Sequence, residues 1–233
     1  MNIAIIPARG GSKRIPKKNI KDFHGKPIIA YSIENAINSK LFDKVIVSTD
    51  TDEIAEIALK YGAEVPFIRP KKLSDDYTGT HEVIGHAVRW LENNGNKIDY
   101  VCCLYATAPL IQPKTISLAY KELIDWKVNY CFSVTSFSFP IQRAIKISEV
   151  DAVEMFYPKY LSTRSQDLEV AYHDAGQFYW GKSNSFKKEL PIFSNNVRPF
   201  ILPRYLVQDI DTLEDWQRAE AMYRVLKETN ALS

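Results

Sequence analysis

Cysteine, histidine and net charge are all scarce in this sequence of 233 residues. The three cysteines, Cys102, Cys103 and Cys131, are odd in number and form no CxxC pair. This excludes a disulfide framework and favours buried free thiols in a reducing compartment. The formal net charge of +2 provides no global basic field, which argues against a nucleic-acid partner.

Long apolar runs are missing too. No run approaches the roughly 20 residues that span a bilayer, and the short apolar segment at the start has no basic segment before it. We therefore expect a cytoplasmic protein that binds neither membranes nor nucleic acids.

Several catalytic signatures are also missing. His81 and His86 miss the i, i+4 spacing that places two metal ligands on one helix face, so the histidines predict no metal site. No arrangement of residues indicates a Ser/His/Asp triad or a nucleophilic cysteine. The sequence contains neither the GxGxxG fingerprint nor the GxxxxGK(S/T) phosphate loop, which disfavours an NAD-dependent dehydrogenase.

Apolar runs alternate with helical patterns along most of the chain. Runs typical of buried strands occupy residues 3–6, 44–48, 65–68, 100–105, 130–135, 178–180 and 204–210. Helical patterns lie between and after them, one of them with Asp50 and Glu53 spaced as a capping box. The alternation predicts a single α/β domain over residues 1–233 with a doubly wound, mostly parallel sheet. The irregular, aromatic-rich stretch 136–177 predicts an insertion, which we expect to serve as a dimerisation and sugar-binding arm.

A glycine-containing basic loop follows the first predicted strand, from Pro7 to Asn19. Ligands of open α/β sheets bind beyond the carboxyl ends of the strands, where this loop lies. Gly10 and Gly11 allow backbone N–H groups to approach an anion closely. The loop also holds five cations, namely Arg9, Lys13, Arg14, Lys17 and Lys18. This combination predicts a cradle for a polyphosphate; the alternative is a solvated basic turn.

Two carboxylates, Asp209 and Asp211, lie two residues apart in the last predicted strand, so both are expected on one side of it. Such a pair can hold one Mg²⁺, which bridges phosphate oxygens and offsets charge on a leaving pyrophosphate. The alternative for Asp211 is a helix N-cap, because Glu214 follows at capping-box spacing. That alternative leaves Asp209 unexplained.

Two further residues and one polar cluster are candidates for the binding site because of where they lie in the predicted fold. Arg69 ends a predicted strand and is suited to donate hydrogen bonds to a base carbonyl. Thr80 either contacts a ribose or a phosphate, or caps the helix that begins near His81. The polar cluster from Tyr172 to Gln177 either contacts substrate or forms a tight turn at Gly176.

The sequence resembles the acylneuraminate cytidylyltransferase family almost from end to end. The resemblance is carried by residues 5–13, 15–20, 47–50, 69–70, 107–110 and 209–212. It implies a fold like that of nucleotide-diphospho-sugar transferases, a homodimer, CTP as donor and Mg²⁺ as cofactor. The implied nucleotide-binding residues are Ala8, Arg9, Gly10, Gly11, Ser12, Lys13, Lys18, Asn19, Arg69 and Thr80.

The resemblance also implies individual roles. Arg9, Ser12 and Lys13 would bind the triphosphate, and Lys18 would neutralise charge at the reacting phosphate. Asn19 would contact the nucleoside and Arg69 would read the cytosine. The implied catalytic residues are Arg9, Lys18, Asp209 and Asp211, of which the two aspartates would hold the metal.

One departure from the family pattern concerns the acceptor. Sialic-acid enzymes of the family have a glutamine where this chain has Tyr105, and tyrosine cannot make the same amide contacts. The stretch 171–180 also differs from the usual one. Both differences resemble the pseudaminic acid branch, whose more apolar sugar suits aromatic surroundings. Sugar contacts are then expected from Tyr105, His173, Asp174 and Gln177, with the sugar carboxylate bound by Arg143, Lys146 or Arg164 of this or a second subunit.

The expected reaction is in-line attack by the anomeric hydroxyl of an acidic nine-carbon sugar on the α-phosphate of CTP. It gives a CMP-sugar and pyrophosphate, with pseudaminic acid as the expected sugar and surface glycan or flagellin glycosylation as the expected use. Three alternatives stay open: a sialic acid cytidylyltransferase, a Kdo cytidylyltransferase, and a nucleotide-binding regulator without catalysis. The regulator would keep the basic loop but would not need Asp209 and Asp211.

Overall fold

The computed structural model describes residues 1–229 and residue 231, so residues 230, 232 and 233 of the predicted domain lie outside it. The strands of this part of the chain are β1 (Asn2–Pro7), β2 (Asp22–Phe23), β3 (Lys26–Pro27), β4 (Lys44–Ser48), β5 (Tyr100–Leu104), β6 (Tyr130–Ser136), β7 (Ile145–Ile147), β8 (Val153–Met155), β9 (Tyr172–Lys182) and β10 (Val197–Ile201). Its α-helices are α1 (Ile28–Asn38), α2 (Asp52–Lys60), α3 (Thr80–Asn93), α4 (Pro113–Asp125), α5 (Ser183–Lys187) and α6 (Leu213–Glu228).

The central sheet has six strands in the order β10-β6-β9-β5-β1-β4. Strand β1 pairs in parallel with both β4 and β5, and β10 pairs in parallel with β6. Strand β9 runs antiparallel between β5 and β6. The predicted mostly parallel sheet is therefore confirmed, with one reversed strand inside it.

Alternate residues of β1 face opposite sides of the sheet, as the two-residue period of a strand requires. Ala4 and Ile6 pack with residues of α1, α2 and α4. Ile3 and Ile5 pack with residues of α3 and with Phe186 of α5. Because helices cover both faces, all four β1 side chains are fully buried, and the burial of this apolar surface stabilises the doubly wound arrangement.

Two predicted helix caps are displaced by one residue. The helix after β4 is capped by the side chain of Thr51 and not by Asp50. The last helix is capped by Thr212, which forms a capping box with Asp215, and not by Asp211. The carboxylates of Asp50 and Asp211 are thus released for other contacts.

Two predicted strands do not form. Within residues 65–68, only Ile68 forms an isolated bridge, with Thr49 just after β4. Residues 204–210 begin with a 3-10 turn at Arg204–Leu206 and continue as irregular backbone. Strand β10 already pairs with β6 at that edge of the sheet, and Ile210 is instead buried in a cluster with Trp216 of α6. The prediction that Asp209 and Asp211 lie on a strand is therefore wrong.

The predicted insertion leaves the sheet after Ser136 and returns at Tyr172. Within it, β7 and β8 form an antiparallel hairpin that is separate from the central sheet. Residues 172–177, which the predicted range 136–177 includes, belong to β9, so the arm is residues 137–171. Large apolar side chains are exposed along this arm at Phe139, Ile147, Val150, Val153 and Leu161.

No helix of the described residues is long and apolar enough to cross a membrane. The three cysteines are buried free thiols, as predicted. Burial raises the pKa of each thiol, which keeps it protonated and unreactive at neutral pH.

His81 lies in the first turn of α3, and its ring contacts those of Tyr130 and Phe186. Burial lowers the pKa of His81. Below about pH 6.5, the ordinary histidine pKa, the unfolded chain therefore binds more protons than the folded chain, and stability is lost as the pH falls. We expect the free energy of unfolding from urea titrations to decrease between about pH 7.5 and about pH 5.5. The decrease should be smaller in His81→Phe; equal decreases in the two proteins would contradict this assignment.

Candidate active site

The carboxyl ends of β1 and β5 open onto a cavity of about 380 Å³, called here the first cavity. This is the edge of the sheet where ligands of open α/β folds bind. The basic loop after β1 and the loop between α2 and α3 both contribute to its lining. The predicted site residues in this lining are Arg9, Ser12, Lys13, Lys18, Asn19, Arg69, Thr80, Tyr105 and Asp211.

Gly10 and Ala8 of the basic loop make contacts within the protein. The amide of Gly10 donates to Asp50 Oδ1 at 2.9 Å, so it is not open to a phosphate. A Cβ at Gly10 would lie 2.4 Å from Cγ2 of Thr51, which explains this glycine by close packing. Ala8 is buried, and neither Ala8 nor Gly11 belongs to the cavity lining. The loop therefore presents mainly side chains to the first cavity.

Arg9 and Lys13 both contact an acidic residue of the opposite loop. Arg9 Nη1 lies 2.7 Å from Asp76 Oδ1, and Lys13 Nζ lies 2.5 Å from Asp76 Oδ2. Arg9 also donates to the backbone carbonyl of Asp75 at 2.6 Å. Lys13 and Arg9 hold the pKa of Asp76 below its usual range. The carboxylate of Asp76 is therefore paired with the two cations that would bind a polyphosphate.

Lys18 connects the basic loop to the segment that precedes α6. Its Nζ donates to the Ile210 carbonyl at 2.5 Å and lies 3.3 Å from Asp211 Oδ1. Arg14 approaches the same carboxylate oxygen at 2.9 Å. Lys17, by contrast, pairs with a glutamate of α2 and is absent from the cavity lining. Of the two adjacent lysines, Lys18 is thus the one placed for chemistry.

Asp209 and Asp211 are brought close together although neither is on a strand. Burial raises the pKa of Asp209, and the nearby charge of Asp211 raises it further. A divalent cation between the two carboxylates would relieve this repulsion. Mg²⁺ commonly uses one or two carboxylates together with phosphate oxygens and water. The pair therefore fits magnesium, and within residues 1–229 and 231 no third acidic, histidine or cysteine side chain completes a metal cluster.

Arg69 is almost fully buried, yet it lines the first cavity. Burial lowers the pKa of its guanidinium. Its Nη2 lies 3.9 Å from Asp50 Oδ1, and its Nε donates to Ser74 Oγ at 3.1 Å. Asn19 also lines the cavity, where its Nδ2 donates to the Arg9 carbonyl at 2.9 Å. Contacts within the protein therefore hold both side chains in place.

Thr80 is the first residue of α3, whose N-cap is Gly79, so the capping alternative for Thr80 is wrong. Its Oγ1 lies 3.2 Å from the hydroxyl of Tyr105. Burial raises the pKa of Tyr105 to about 12, so this hydroxyl stays protonated at neutral pH. The pair forms a polar patch of the first cavity.

A second cavity of about 530 Å³ shares Asp211 with the first. His173, Asp174 and Asp209 line it, as does Arg204, a cation that the sequence did not single out. The basic loop, the aspartate pair and the start of β9 therefore line two cavities that share Asp211.

The cluster at the start of β9 contributes His173 and Asp174 to the second cavity. Asp174 accepts hydrogen bonds from the Gly176 amide at 2.8 Å and from the Tyr179 hydroxyl. Gly176 has a φ of +61°, but it lies inside the continuous strand β9, at the irregularity where the pairing register with β6 shifts, so the predicted tight turn is wrong. Gln177 is buried and lines neither cavity; its Nε2 donates to the Leu206 carbonyl at 2.5 Å. Gln177 therefore supports the segment before Asp209 and is not exposed to a ligand.

The three cations predicted for the sugar carboxylate lie in the arm. Arg143 donates to the Thr163 carbonyl, Lys146 pairs with a glutamate of β8, and Arg164 pairs with Asp167. None of the three lines either cavity. Within one chain, the structure does not bring them to the site.

Sequence reasoning missed the roles of Asp50, Asp76 and Arg204. Asp50 had a detectable signal, because it follows a buried strand at the ligand-binding edge. Asp76 had a weaker one, since it belongs to an acidic pair in the loop after Arg69. No sequence signal indicated Arg204 as a site residue, because residues 204–210 were predicted to form a strand, and that strand does not form.

A cavity with several cations in its lining, at the carboxyl edge of a doubly wound sheet and beside a polar second cavity, is suited to binding a nucleotide. The family model described as cytidylyltransferase matches residues 3–228. The chain belongs to this family and is a nucleotidyltransferase, which confirms the predicted family and enzyme class.

Two relatives are similar to the chain in sequence, and one solved structure is similar to it in fold. The chain is 51% identical to a pseudaminic acid cytidylyltransferase of Campylobacter jejuni, over 98% of each chain. It is 33% identical to N-acylneuraminate cytidylyltransferase A of Danio rerio, over 96% of this chain and 50% of that one. A CMP:2-keto-3-deoxy-manno-octonic acid synthetase complexed with CTP has a TM-score of 0.71 at 17% identity, and the match covers 96% of this chain and 98% of that chain. This last likeness confirms the predicted fold.

Proposed function

We propose that this chain transfers CMP from CTP to the anomeric hydroxyl of pseudaminic acid, with Mg²⁺ as cofactor, and releases pyrophosphate. The observation that carries the proposal is the sharing of Asp211 by the two cavities. A triphosphate bound by the cations of the first cavity would place its reacting phosphate near this carboxylate. An acceptor sugar in the second cavity would meet it there.

The chemistry needs positioning and charge neutralisation but no protein nucleophile. Arg9 and Lys13 would bind the triphosphate, and Lys18 would stabilise the charge that develops at the reacting phosphate. Mg²⁺ held by Asp209 and Asp211 would supply further neutralisation of the phosphate oxygens. Most of the rate enhancement would then come from fixed charges around the leaving pyrophosphate.

Recognition of the base is assigned to Arg69. The O2 and N3 atoms of cytosine are both hydrogen-bond acceptors, whereas N3 of uracil carries a proton and donates. The planar guanidinium of Arg69 presents donors only, so it matches the cytosine edge better than the uracil edge.

Pseudaminic acid is supported as the acceptor by Tyr105 and by the identity to the Campylobacter jejuni protein named for this sugar. Asp174 and His173 in the second cavity would contact its polar groups. Arg204 lies in the same cavity and joins the three arm cations as a candidate for the sugar carboxylate. We place the enzyme in the cytoplasm and its product in surface glycan or flagellin glycosylation.

A homodimer is part of the proposal. The arm of residues 137–171 exposes several large apolar side chains, and burial of such surface against a second copy is favourable. Arg143, Lys146 and Arg164 line neither cavity of their own chain. In a homodimer, they would be able to contact the sugar bound to the other copy.

The test is an assay of pyrophosphate release with CTP, Mg²⁺ and one acceptor at a time: pseudaminic acid, N-acetylneuraminic acid or Kdo. We expect release with pseudaminic acid. Turnover only with N-acetylneuraminic acid or only with Kdo would replace the proposed sugar. No release with any acceptor, despite measurable CTP binding, would support the regulator without catalysis.

Neutralising Asp76 is expected to favour nucleotide binding, because its carboxylate competes with the triphosphate for Arg9 and Lys13. In Asp76→Asn, the KM for CTP should fall by about threefold, a small effect because exposed ion pairs are weak. Steady-state pyrophosphate release at varied CTP concentrations measures it. Asp125→Asn, at an exposed carboxylate of α4 outside both cavities, is the control. A higher KM in Asp76→Asn would mean that Asp76 assists nucleotide binding.

A further inference from the structure

Three successive residues at the end of β4 contact both the basic loop and Arg69. The Thr49 carbonyl accepts the Arg69 amide at 2.7 Å. The Thr51 methyl group fills the space beside Gly10, where even one added carbon would collide with it. Through these contacts, the phosphate-binding and base-reading parts of the first cavity both pack against the same segment, residues 49–51.

Asp50 lies between these two residues and contacts both parts through a single atom. Its Oδ1 accepts the Gly10 amide at 2.9 Å and lies 3.9 Å from Nη2 of Arg69. The Asp50 side chain is 20% exposed and that of Arg69 only 3%, so water screens this pair weakly. Asp50 is absent from the lining of either cavity, which excludes a direct ligand contact as its main role.

The electrostatics of Arg69 show what Asp50 contributes. Burial lowers the pKa of the Arg69 guanidinium, and the carboxylate of Asp50 opposes this shift. Without Asp50, a buried cation would face the further cation Arg9 with less compensation, and its orientation would be less defined.

We infer that Asp50 is a positioning residue that couples the basic loop to Arg69, so that base selection depends on how Asp50 holds both of them. The inference rests on the proposed function, because it takes Arg69 as the residue that reads cytosine. Asp50 acts through Gly10 and Arg69 and touches no substrate.

Two substitutions separate the two contacts of Asp50. Asp50→Asn keeps an oxygen that accepts the Gly10 amide but removes the charge beside Arg69. Asp50→Ala removes both. We expect the ratio of the Kd for UTP to the Kd for CTP, which measures selectivity for CTP, to fall by about fivefold in Asp50→Asn, with kcat nearly unchanged. Asp50→Ala should lose the same selectivity and also raise the KM for CTP by about tenfold, because the loop is no longer held.

A double-mutant comparison shows whether Asp50 acts through Arg69. In an Arg69→Gln background, Asp50→Asn should change the Kd ratio by less than about twofold. An equal effect in both backgrounds, or no effect on selectivity in either, would overturn the inference. Asp52→Asn is the matched control, since Asp52 is exposed two residues away and outside both cavities. Thermal unfolding of each variant separates a loss of selectivity from a loss of fold.

The binding measurement keeps this inference distinguishable from the proposed function. If the unsubstituted protein binds CTP but releases no pyrophosphate with any acceptor, the proposed reaction fails while the Kd ratios still test Asp50. If turnover occurs and the ratios do not respond to Asp50→Asn, the inference fails alone.

Discussion

Replacing Asp209 and Asp211 together by asparagine is expected to lower kcat for pyrophosphate release by about a thousandfold or more, while CTP still binds. The two carboxylates fit one Mg²⁺, and loss of several kcal/mol of charge stabilisation at the phosphate corresponds to this factor. The cations that bind the triphosphate are untouched, so the Kd for CTP should change far less. Isotope-labelled CTP binding and single-turnover pyrophosphate release measure the two effects separately.

Glu214→Gln provides the matched control for the aspartate pair. Glu214 is exposed in the first turn of α6 and lies only three residues beyond Asp211. Its replacement removes one carboxylate charge from the same region without touching either cavity. A double variant that keeps its kcat would show that the two aspartates hold no catalytic metal, and the Mg²⁺ requirement would then need another site.

Replacing Lys18 by methionine is expected to lower kcat by about a hundredfold or more. One well-placed charged donor at a reacting centre is commonly worth this factor. Lys18 is held by the Ile210 carbonyl at 2.5 Å, so its ammonium group is already oriented towards Asp211 and needs no reorganisation. The KM for CTP should rise less than kcat falls, because Arg9 and Lys13 still bind the triphosphate. Steady-state kinetics at saturating sugar distinguishes the two parameters.

The adjacent residue supplies the control for Lys18. Lys17→Met removes an identical charge from the same loop, but Lys17 pairs with Glu53 and is absent from the cavity lining. We expect its kcat to stay within about twofold of the unsubstituted protein. Equal losses in Lys17→Met and Lys18→Met would indicate a general effect of loop charge and would remove the special role of Lys18.

The basic loop was predictable because its signal is local. A buried strand, β1, is followed directly by glycines and cations, and the edge of the sheet then determines where the loop lies. The packing that requires a glycine at position 10 was not predictable. Its partners Asp50 and Thr51 lie far along the chain, and only the packing of β1 against β4 brings them together.

Both misplaced helix caps have the same physical cause. Thr51 follows Asp50, and Thr212 follows Asp211, so two good capping residues are adjacent in each case. Spacing alone cannot choose between them, and the choice depends on where the preceding strand or turn ends. The same ambiguity hid the availability of Asp50 for the site, whereas Asp211 was predicted there as a metal ligand despite the capping alternative.

The misplaced last strand shows a limit of apolar patterns. Residues 204–210 have the composition of a strand, but β10 is the strand that pairs with β6. Ile210 is buried against a helix instead. Asp209 and Asp211 were nevertheless correctly grouped, because two residues so close in sequence remain near each other in almost any backbone conformation.

The reversed direction of β9 makes the arm an exchangeable module. Ser136 and Tyr172, the residues on either side of the arm, are direct cross-strand partners. The chain therefore leaves the sheet and returns to it at two paired residues, one on β6 and one on β9. Both attachment points of the arm lie at the carboxyl end of β6. An arm of different length or sequence, grafted between these two residues, would leave the register of the sheet unchanged. The fold thus permits chimeras in which the nucleotide-binding half of one enzyme carries the arm of another.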